Sequence, residues 1–312
     1  MTWPGCGAEQ AGELSVRTTG DGSFSLFSPR FGEAFHAAAG AQREARNTFV
    51  GPSELQRFAP GTTLVVVDVC LGTGSNTAAL LEAAAERGLR LAWNGLELDP
   101  QPLRLALAAA SFCRQWRPEA LEPLQQLVVD GGWSSPLGRG AMLWGDARAR
   151  LPALLEQWAG QVDLVLMDAF SPRHCPELWT REFLGGLAGL LAPSGRLLTY
   201  CSAAAVRAAL QQLGLHLAAI TSGDRCWSGG TAASPGALLD ESDPHSFSPR
   251  LRPLSLMERQ HLLTNAAVPY RDCSNQAPAA QILQERSLRQ RELLASGGLE
   301  PTSAWRRRWG LG

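Results

Sequence analysis

Residues 64–76 of the chain read LVVVDVCLGTGSN, and this stretch decides the fold. The β-branched run 64–69 has no helical period, which predicts a strand buried on both faces of a parallel sheet. Gly72, Thr73 and Gly74 then allow a tight turn in which backbone N–H groups can approach a ligand. An alanine-rich helix is expected to follow, capped by Asn76 or Thr77 and ending near residue 88. The alternative interpretation is a strand-to-helix turn that binds nothing.

The residues around this turn distinguish it from two common phosphate-binding loops. Thr77 stands where the dinucleotide pattern needs its third glycine, no Gly-Lys-Ser follows, and the chain contains no lysine. Asp68 instead stands four residues before the first glycine, and Glu97 lies in the next expected strand, 91–98. A carboxylate at the carboxyl end of a strand can accept two hydrogen bonds from a ribose diol. A nucleoside with a cationic amino-acid tail therefore suits the pattern, and S-adenosylmethionine fits that description.

The composition excludes several classes of protein. The chain has 312 residues, of which 45% are hydrophobic, and its formal net charge is −1, which argues against disorder and against a polyanion-binding charge spread over the whole chain. Its seven cysteines have no Cys-x-x-Cys spacing, so reduced thiols are expected rather than a metal site or disulfides. Residues 1–12 lack an apolar run, and no apolar segment reaches the roughly 20 residues of a membrane span. We therefore expect a cytoplasmic protein.

Residues before the first core strand combine aromatic and titratable side chains. A hairpin is expected over 18–28, with Gly-Asp-Gly as its turn. Residues 30–50 then contain Glu33, His36 and Glu44 among several phenylalanines. The functional interpretation is a lid over a pocket mouth, and the structural one is a packed clasp with surface charges. The sequence does not decide between them.

Two later strand ends carry further acids. A glycine-rich loop is expected over 131–140, followed by a short strand that ends before Asp146. Asp146 can accept a hydrogen bond from an exocyclic amine such as that of adenine, or it can cap a helix over 149–159. The buried strand 162–167 delivers Asp168 to the edge of the sheet where open α/β folds bind ligands.

The chain leaves this strand in an extended turn, because a residue before Pro172 avoids the helical region. Phe170 can supply an aromatic wall there. Thr180 is expected to cap the next helix, and strands and helices alternate to about residue 222. This alternation predicts an α/β fold with a doubly wound, mainly parallel sheet.

The C-terminal part differs in charge, with ten arginines and five acidic residues over 250–312. Helices are expected at 254–263 and 279–294, and a short strand at 231–233 within the loop 223–249. The tail 305–309 reads WRRRW, a mixture that can contact phosphates and stack on bases. The alternative is a set of helices strapped to the core. The expected divisions are an N-terminal hairpin and lid over 1–55, a core over 56–235 and a basic helical extension over 236–312.

Three segments together resemble a known family. Residues 68–76 are similar to the acid-x-Gly-Phe-Gly-Thr-Gly-x-Asn loop in the methyltransferase domain of the bifunctional tRNA-modifying protein MnmC and in its stand-alone MnmD relatives. Residues 163–180 resemble that family's Asp-Gly-Phe-x-Pro…Asn-Pro-x-x-Trp-Thr segment. Residues 21–23 and 32–49 match its N-terminal segment. The resemblance covers about residues 18 to 220.

The resemblance implies a Rossmann-like class I S-adenosylmethionine-dependent methyltransferase that methylates the exocyclic amine of 5-aminomethyl-(2-thio)uridine at the tRNA wobble position. Asp168 would be catalytic, beside the sulfonium and the substrate amine. The cofactor-binding residues would be Asp68, Gly72, Thr73, Gly74, Asn76, Glu97, Asp146, Ala147 and Phe170. The substrate-binding residues would be Glu33, His36, Glu44 and Pro172. The expected partners are tRNA and a separate enzyme that supplies the aminomethyl intermediate, without metal or membrane.

The chain departs from the family pattern at Cys70, Ser75 and Ala169, which replace a glycine, an apolar residue and a glycine. None of these changes removes a proposed acid. Cys70 is interpreted as a small buried residue rather than a nucleophile. Two other functions are open. A spermidine synthase-like aminopropyltransferase is disfavoured because Ser171 stands where such enzymes have an acid before proline, and a non-catalytic RNA-binding module is disfavoured by the set of strand-end acids.

Overall fold

A computed structural model of the chain describes residues 13–38, 40–221, 229–239 and 250–311. The expectation for residues 1–12 and most of the loop expected at 223–249 lie outside the described residues. The strands are β1 (Ser15–Thr18), β2 (Phe24–Ser28), β3 (Glu33–Ala34), β4 (Thr63–Val69), β5 (Arg90–Glu97), β6 (Gly132–Ser135), β7 (Gly138–Trp144), β8 (Val162–Met167), β9 (Leu191–Thr199), β10 (His216–Ile220), β11 (Gly230–Ser234) and β12 (Leu251–Arg252).

Helices connect most of these strands. The α-helices are α1 (Ala41–Glu44), α2 (Gly51–Ser53), α3 (Ser75–Glu86), α4 (Gln101–Ala108), α5 (Ala110–Cys113), α6 (Pro118–Asp130), α7 (Ala147–Trp158), α8 (Arg181–Leu190), α9 (Ala204–Gln212), α10 (Leu256–His261), α11 (Ala279–Ala295) and α12 (Thr302–Arg308). A π-helical stretch covers Ala45–Val50, and 3₁₀ turns cover Leu55–Arg57, Pro176–Trp179 and Asn265–Ala267. None of the helices in the described part of the chain has the length and apolarity that a membrane crossing would need.

The main sheet is mixed but mostly parallel. Across the described residues its strand order is β12-β10-β11-β9-β8-β4-β5-β7-β6. The neighbours β7, β5, β4, β8 and β9 pair in parallel. β11 runs antiparallel to both β9 and β10, and β6 and β12 are antiparallel edge strands. The predicted doubly wound, mainly parallel sheet is confirmed.

The central strand β4 is buried on both faces. Val66 belongs to one hydrophobic cluster, together with Leu80 of α3, and Val67 belongs to a second cluster, together with Leu184 of α8. All four of these side chains are fully buried. Alternate residues of one strand therefore face two separate helix layers, which explains why its sequence is continuously apolar.

A small antiparallel sheet of β1, β2 and β3 precedes the core. Asp21 shapes the turn between β1 and β2, because its Oδ1 accepts hydrogen bonds from the Thr19 hydroxyl (2.7 Å) and the Ser23 amide (3.0 Å). Phe24 of β2 is buried and contacts Phe112 of α5 edge-on, with ring centroids 6.0 Å apart. The expected hairpin is therefore present and packs against the core.

Three local expectations were wrong. The segment 131–140 is mostly the hairpin of β6 and β7, not a loop, and a Cβ at Gly140 would lie 2.0 Å from the Trp133 indole nitrogen. Gly74, with φ 86°, precedes α3, so neither Asn76 nor Thr77 caps it. The apolar residues of the segment 100–116 predict one helix, but the helix breaks at Ala109, where ψ is 116°. Gly140 therefore leaves room for the Trp133 indole and does not end a strand.

The C-terminal extension is anchored to the core. The Arg207 guanidinium of α9 donates to Glu258 Oε1 of α10 (3.0 Å), and both side chains are almost fully buried. Trp305 is 2% exposed and stacks on His261, with ring centroids 4.0 Å apart. Arg308 pairs with Glu300. Since the face of Trp305 is already covered, the alternative of helices packed against the core describes this residue, and stacking on a base does not.

Candidate active site

A cavity of about 450 Å³ lies at the carboxyl ends of the parallel strands, a volume typical of small-molecule sites. The loops after four strands form its floor: 70–76 after β4, 97–99 after β5, 145–148 after β7 and 168–170 after β8. Residues of the N-terminal segment 28–44 cover it. Most of the sequence-predicted site residues line it, namely Gly72, Thr73, Asn76, Glu97, Asp146, Ala147, Asp168, Phe170, Glu33, His36 and Glu44.

The glycine turn after β4 has the backbone that the sequence predicted. Gly72 and Gly74 have φ values of 56° and 86°, and Cys70 takes the same left-handed conformation with φ 66°. A Cβ at Gly72 would lie 3.2 Å from the Phe35 ring, so this glycine lets the covering segment approach the turn closely. Burial raises the pKa of the Cys70 thiol well above its usual value, which supports the interpretation of Cys70 as a non-nucleophilic residue.

Asp168 presents a half-buried carboxyl group to the cavity. The Asn76 side-chain amide of α3 donates to its Oδ2 at 2.7 Å. Burial and the nearby Glu44 charge raise the pKa of Asp168 well above its usual value, although the Asn76 hydrogen bond opposes the shift. An opposite charge that enters the cavity would favour the ionised form of this carboxyl group.

The N-terminal segment is tied to the floor of the cavity at two points. Glu33 accepts a hydrogen bond from the Ser171 amide at 2.9 Å. His36 contacts the Ser25 hydroxyl at 3.0 Å through Nδ1 and the Thr73 hydroxyl at 3.4 Å through Nε2. Burial lowers the pKa of His36 to about 4, so the ring is neutral near pH 7. These ties favour the lid interpretation of this segment over that of a clasp remote from the site.

Three aromatic rings in the cavity wall pack against one another. Phe31 stacks on Phe170 with ring centroids 4.5 Å apart, and Phe35 meets the same ring edge-on at 5.0 Å. The Trp179 indole donates to the Phe170 carbonyl at 2.7 Å, which fixes the turn that carries this ring. Aromatic pairs of this kind hold a closed geometry and exclude water from it.

Glu97 and Asp146 differ in how much of their hydrogen-bonding capacity remains. Glu97 accepts from three backbone amides, those of Gly72 (2.8 Å), Leu98 (2.6 Å) and Asp99 (3.2 Å), which orient its carboxylate. Burial raises the pKa of Glu97, and these amides oppose the shift. An ionised carboxylate has about four acceptor positions, so Glu97 can still accept from a diol.

Asp146 already accepts hydrogen bonds at both of its carboxylate oxygens. It caps α7 by accepting from the Arg148 amide at 2.9 Å, and it forms an ion pair with the Arg148 guanidinium at 2.8 Å. Arg148 also donates to Asp272 Oδ2 (3.3 Å) and to the Ala277 carbonyl (2.9 Å), both in the C-terminal extension. The capping alternative for Asp146 is therefore present in the structure.

Three predicted site residues, Asp68, Gly74 and Pro172, do not line the cavity. Asp68 lies beneath the glycine turn with no exposed surface, and its Oδ2 accepts a short hydrogen bond from the Thr77 hydroxyl. Burial raises the pKa of Asp68 to about 7. A Cβ at Gly74 would lie 3.1 Å from both Leu103 and Leu124, so this glycine serves packing. These positions correct the expectation that all three contact a ligand directly.

Sequence reasoning missed several residues of the cavity wall. Phe31 and Phe35 belong to the segment 30–50, but no sequence pattern assigns their side chains to a cavity wall rather than to packing in the core. Tyr200 follows β9, and the strand-end rule that found Asp168 could have found it. Glu177 belongs to the segment that resembles the known family, at a position where the family pattern names no residue type.

The strand order and the position of the cavity define the class: the chain has the Rossmann-like fold of class I S-adenosylmethionine-dependent methyltransferases. The profile of a family described as S-adenosyl-L-methionine-dependent methyltransferase matches residues 139–225. The crystal structure of MnmC2 from Aquifex aeolicus is 27% identical with a TM-score of 0.76, and the alignment covers 91% of this chain and 87% of that one. The predicted resemblance and fold class are confirmed.

Curated relatives agree with this assignment. The tRNA 5-methylaminomethyl-2-thiouridine biosynthesis bifunctional protein MnmC of Cupriavidus necator is 30% identical over 211 residues, which are 61% of this chain and 30% of that protein. MnmC of Pseudomonas fluorescens strain Pf-5 is 31% identical over 202 residues, with shares of 60% and 30%. The chain thus spans less than a third of the length of these relatives. A probable spermidine synthase from Corynebacterium glutamicum, 14% identical with a TM-score of 0.51 over 88% of this chain and all of that one, shares the fold.

Proposed function

We propose that this chain transfers a methyl group from S-adenosylmethionine to the exocyclic amine of 5-aminomethyl-(2-thio)uridine at the wobble position of tRNA. The observation that carries the proposal is the half-buried Asp168 carboxyl group, which the Asn76 amide orients and which lines the cavity together with three aromatic rings. The names of the MnmC relatives supply the substrate class. A separate enzyme would then supply the aminomethyl nucleoside.

The cavity suits the methyl donor. Glu97 is oriented toward a ribose diol by three backbone amides, and the turn at Gly72 and Thr73 brings the backbone close to the cavity. Asp168 and Glu44 place two carboxyl groups in the same cavity, and their ionised forms favour the cationic end of a sulfonium ligand. When bound, S-adenosylmethionine supplies a methyl group that is already activated for transfer, so the protein has to align, desolvate and deprotonate the acceptor.

Asp168 is the proposed base. A primary alkyl amine is mostly protonated near pH 7, and an ammonium group entering the cavity meets the Asp168 and Glu44 carboxyl groups. The positive charge favours ionisation of Asp168, and the raised pKa of its free form makes this carboxylate a better proton acceptor than an exposed aspartate. Its Oδ2 stays on the Asn76 amide, which leaves Oδ1 to orient the amine and take its proton. General-base action of this kind contributes about 10²–10⁴-fold.

The N-terminal segment is proposed to exclude water during transfer. Phe31 and Phe35 lie against Phe170, and the Glu33 and His36 ties hold the segment on the floor of the cavity. Because Glu44 belongs to the same segment, closure also brings the second carboxylate to the amine. We assign Glu33, His36 and Glu44 to substrate binding on this basis.

The test uses labelled S-adenosylmethionine and tRNA from cells that lack the terminal methyl group. We expect label in the wobble nucleoside, with a rate at least about 10²-fold lower for Asp168→Asn and with unchanged affinity for S-adenosylhomocysteine by calorimetry. Asp163→Asn is the matched control. Asp163 lies on β8, and its carboxylate accepts from the Val65 amide at 2.9 Å outside the cavity. Label in putrescine, or in no acceptor, would overturn the proposal.

A further inference from the structure

Two exposed arginines lie where the N-terminal segment meets the loop after β8. The Arg30 guanidinium lies over the Phe31 ring, 5.3 Å from the ring centroid, and Phe31 stacks on Phe170 of that loop. Arg30 lines the cavity but is exposed to solvent. Its charge therefore stands at the mouth of the cavity and not in the interior.

Arg173 reaches the same place from the loop after β8. This loop leaves the cavity wall at Phe170 and returns to it at Cys175, whereas Arg173 and His174 between them are exposed and do not line the cavity. A Cβ at Gly32 would lie 3.9 Å from the His174 ring, so the N-terminal segment contacts the loop beside Arg173. The two arginines thus belong to two chain segments that touch at the rim of the cavity.

Neither guanidinium has a carboxylate partner in the described part of the chain. Glu33 joins the two segments, but it does so by accepting from the Ser171 amide at 2.9 Å. The formal net charge of the whole chain is −1, so attraction for a polyanion has to come from local cations. The rim of the cavity offers two of them, Arg30 and Arg173.

An RNA acceptor brings anions to this rim. A nucleotide whose base enters the cavity stays linked to a phosphate on each side. These phosphates remain outside, because the cavity holds aromatic rings and the carboxyl groups of Asp168 and Glu44, which are poor neighbours for an anion. A guanidinium presents five N–H donors in one plane, and this fork matches the oxygens of a phosphate.

We propose that Arg30 and Arg173 bind the phosphates on either side of the acceptor nucleotide and so hold an RNA chain across the mouth of the cavity. The inference rests on the proposed function in taking the acceptor to be a nucleotide within an RNA chain. Phosphate contacts fix the position of a nucleic acid without reading its sequence. The two arginines therefore place the nucleotide, and the choice of base is left to the cavity.

Fluorescence anisotropy measures the contact, with S-adenosylhomocysteine present and with an anticodon stem-loop RNA that carries 5-aminomethyluridine at the wobble position. Arg30→Gln and Arg173→Gln should each weaken RNA binding about 2- to 10-fold at about 0.1 M salt. Each substitution should also reduce the slope of log affinity against log salt concentration by about 0.7 to 1, which corresponds to the counterion release of one phosphate contact.

Neutral phosphates separate this contact from a general effect of charge. A second stem-loop RNA carries methylphosphonates at the two phosphates that flank the wobble nucleotide. We expect the wild-type chain to bind this RNA more weakly, by about the combined factor of the two arginine substitutions. The double variant Arg30→Gln, Arg173→Gln should bind both RNAs equally, because the two kinds of change remove the same interaction.

The double variant Arg87→Gln, Arg90→Gln is the matched control. Both residues are exposed, Arg87 at the end of α3 and Arg90 at the start of β5, on the edge of the sheet away from the cavity. This variant should bind both RNAs as the wild type does.

Two results would overturn the inference. One is a wild-type chain that does not bind the unmodified-backbone stem-loop, and the other is an arginine double variant that loses the same factor against the wild type on both RNAs. If Arg30→Gln also weakens S-adenosylhomocysteine binding by calorimetry, Arg173→Gln alone decides. Binding with the expected dependence on the flanking phosphates, but without transfer of label from S-adenosylmethionine, would remove the proposed function alone.

Discussion

Asp68→Asn should change how the stability of the fold depends on pH. Asp68 has no exposed surface, its Oδ2 accepts from Thr77, and its Oδ1 has no hydrogen-bond partner among the described residues. Burial raises its pKa from 3.8 to about 7 despite the Thr77 hydrogen bond, and the Glu97 charge adds to the rise. The folded state therefore keeps the Asp68 proton over a pH range in which the unfolded state has lost it.

The sign and size of this pH dependence follow from the linkage between proton binding and folding. For an acid with a raised folded pKa, the stabilisation present below the unfolded pKa is lost as pH rises through the folded pKa. The window here runs from 3.8 to about 7. Each unit of pKa difference corresponds to about 1.4 kcal/mol, so the loss is about 4 kcal/mol at most across the window. Asparagine does not titrate, and its side-chain oxygen can still accept from Thr77.

Urea denaturation followed by tryptophan fluorescence, from about pH 4 to about pH 8, measures the effect. The free energy of unfolding of Asp68→Asn minus that of the wild type should rise with pH and level off above pH 7. Removal of the Asp68 charge also removes one of the causes that raise the pKa of Asp168, and this changes the difference in the same direction. Asp130→Asn, at the exposed end of α6, is the control and should leave the profile unchanged. A difference for Asp68→Asn that does not vary with pH would refute the reasoning.

Two further substitutions test the anchoring of the extension and the cover of the cavity. Arg207→Ala should lower the free energy of unfolding by about 3–5 kcal/mol, because it leaves the fully buried Glu258 side chain with less compensating charge. Urea denaturation measures this loss, and a loss under about 1 kcal/mol would contradict the expectation. Phe31→Ala removes the ring stacked on Phe170 at 4.5 Å, so the dissociation constant for S-adenosylhomocysteine should rise about 2- to 10-fold by calorimetry. An unchanged constant would show that the stack does not support ligand binding.

The parts of the fold that sequence analysis predicted are those that local pattern determines. The run from β4 through the glycine turn into α3 needs only β-branched residues, two glycines and an alanine-rich helix in order. Asp168 was predicted because it follows a continuous apolar strand, and parallel strands bring their carboxyl ends to one edge. Thr180 was predicted as a helix cap and does accept from the Phe183 amide at 3.2 Å. Each inference uses residues that are close in sequence.

The missed features depend on residues far apart in sequence. Gly140 has the residue type of a chain breaker, but in the structure it leaves room for the Trp133 side chain, which packs over it. Asp146 has the residue type of an acceptor for an amine, but the Arg148 guanidinium already pairs with it. Asp272 of the extension pairs with the same guanidinium. The unpaired state of Glu177 is a property of its surroundings, and no residue type or spacing indicates which carboxylate will lack a donor.

The segments before and after the core contact different residues around the same cavity, and the proposed function assigns these to its reacting end and its base end. The N-terminal segment reaches the reacting end through the Glu33 hydrogen bond to Ser171. The extension reaches the base end through Asp272, which holds the arginine that occupies Asp146. A perturbation of the extension should therefore alter base recognition before it alters methyl transfer, and a perturbation of the lid should do the reverse. The core supplies the strand ends, but the geometry of the acids that line the cavity depends on both flanking segments.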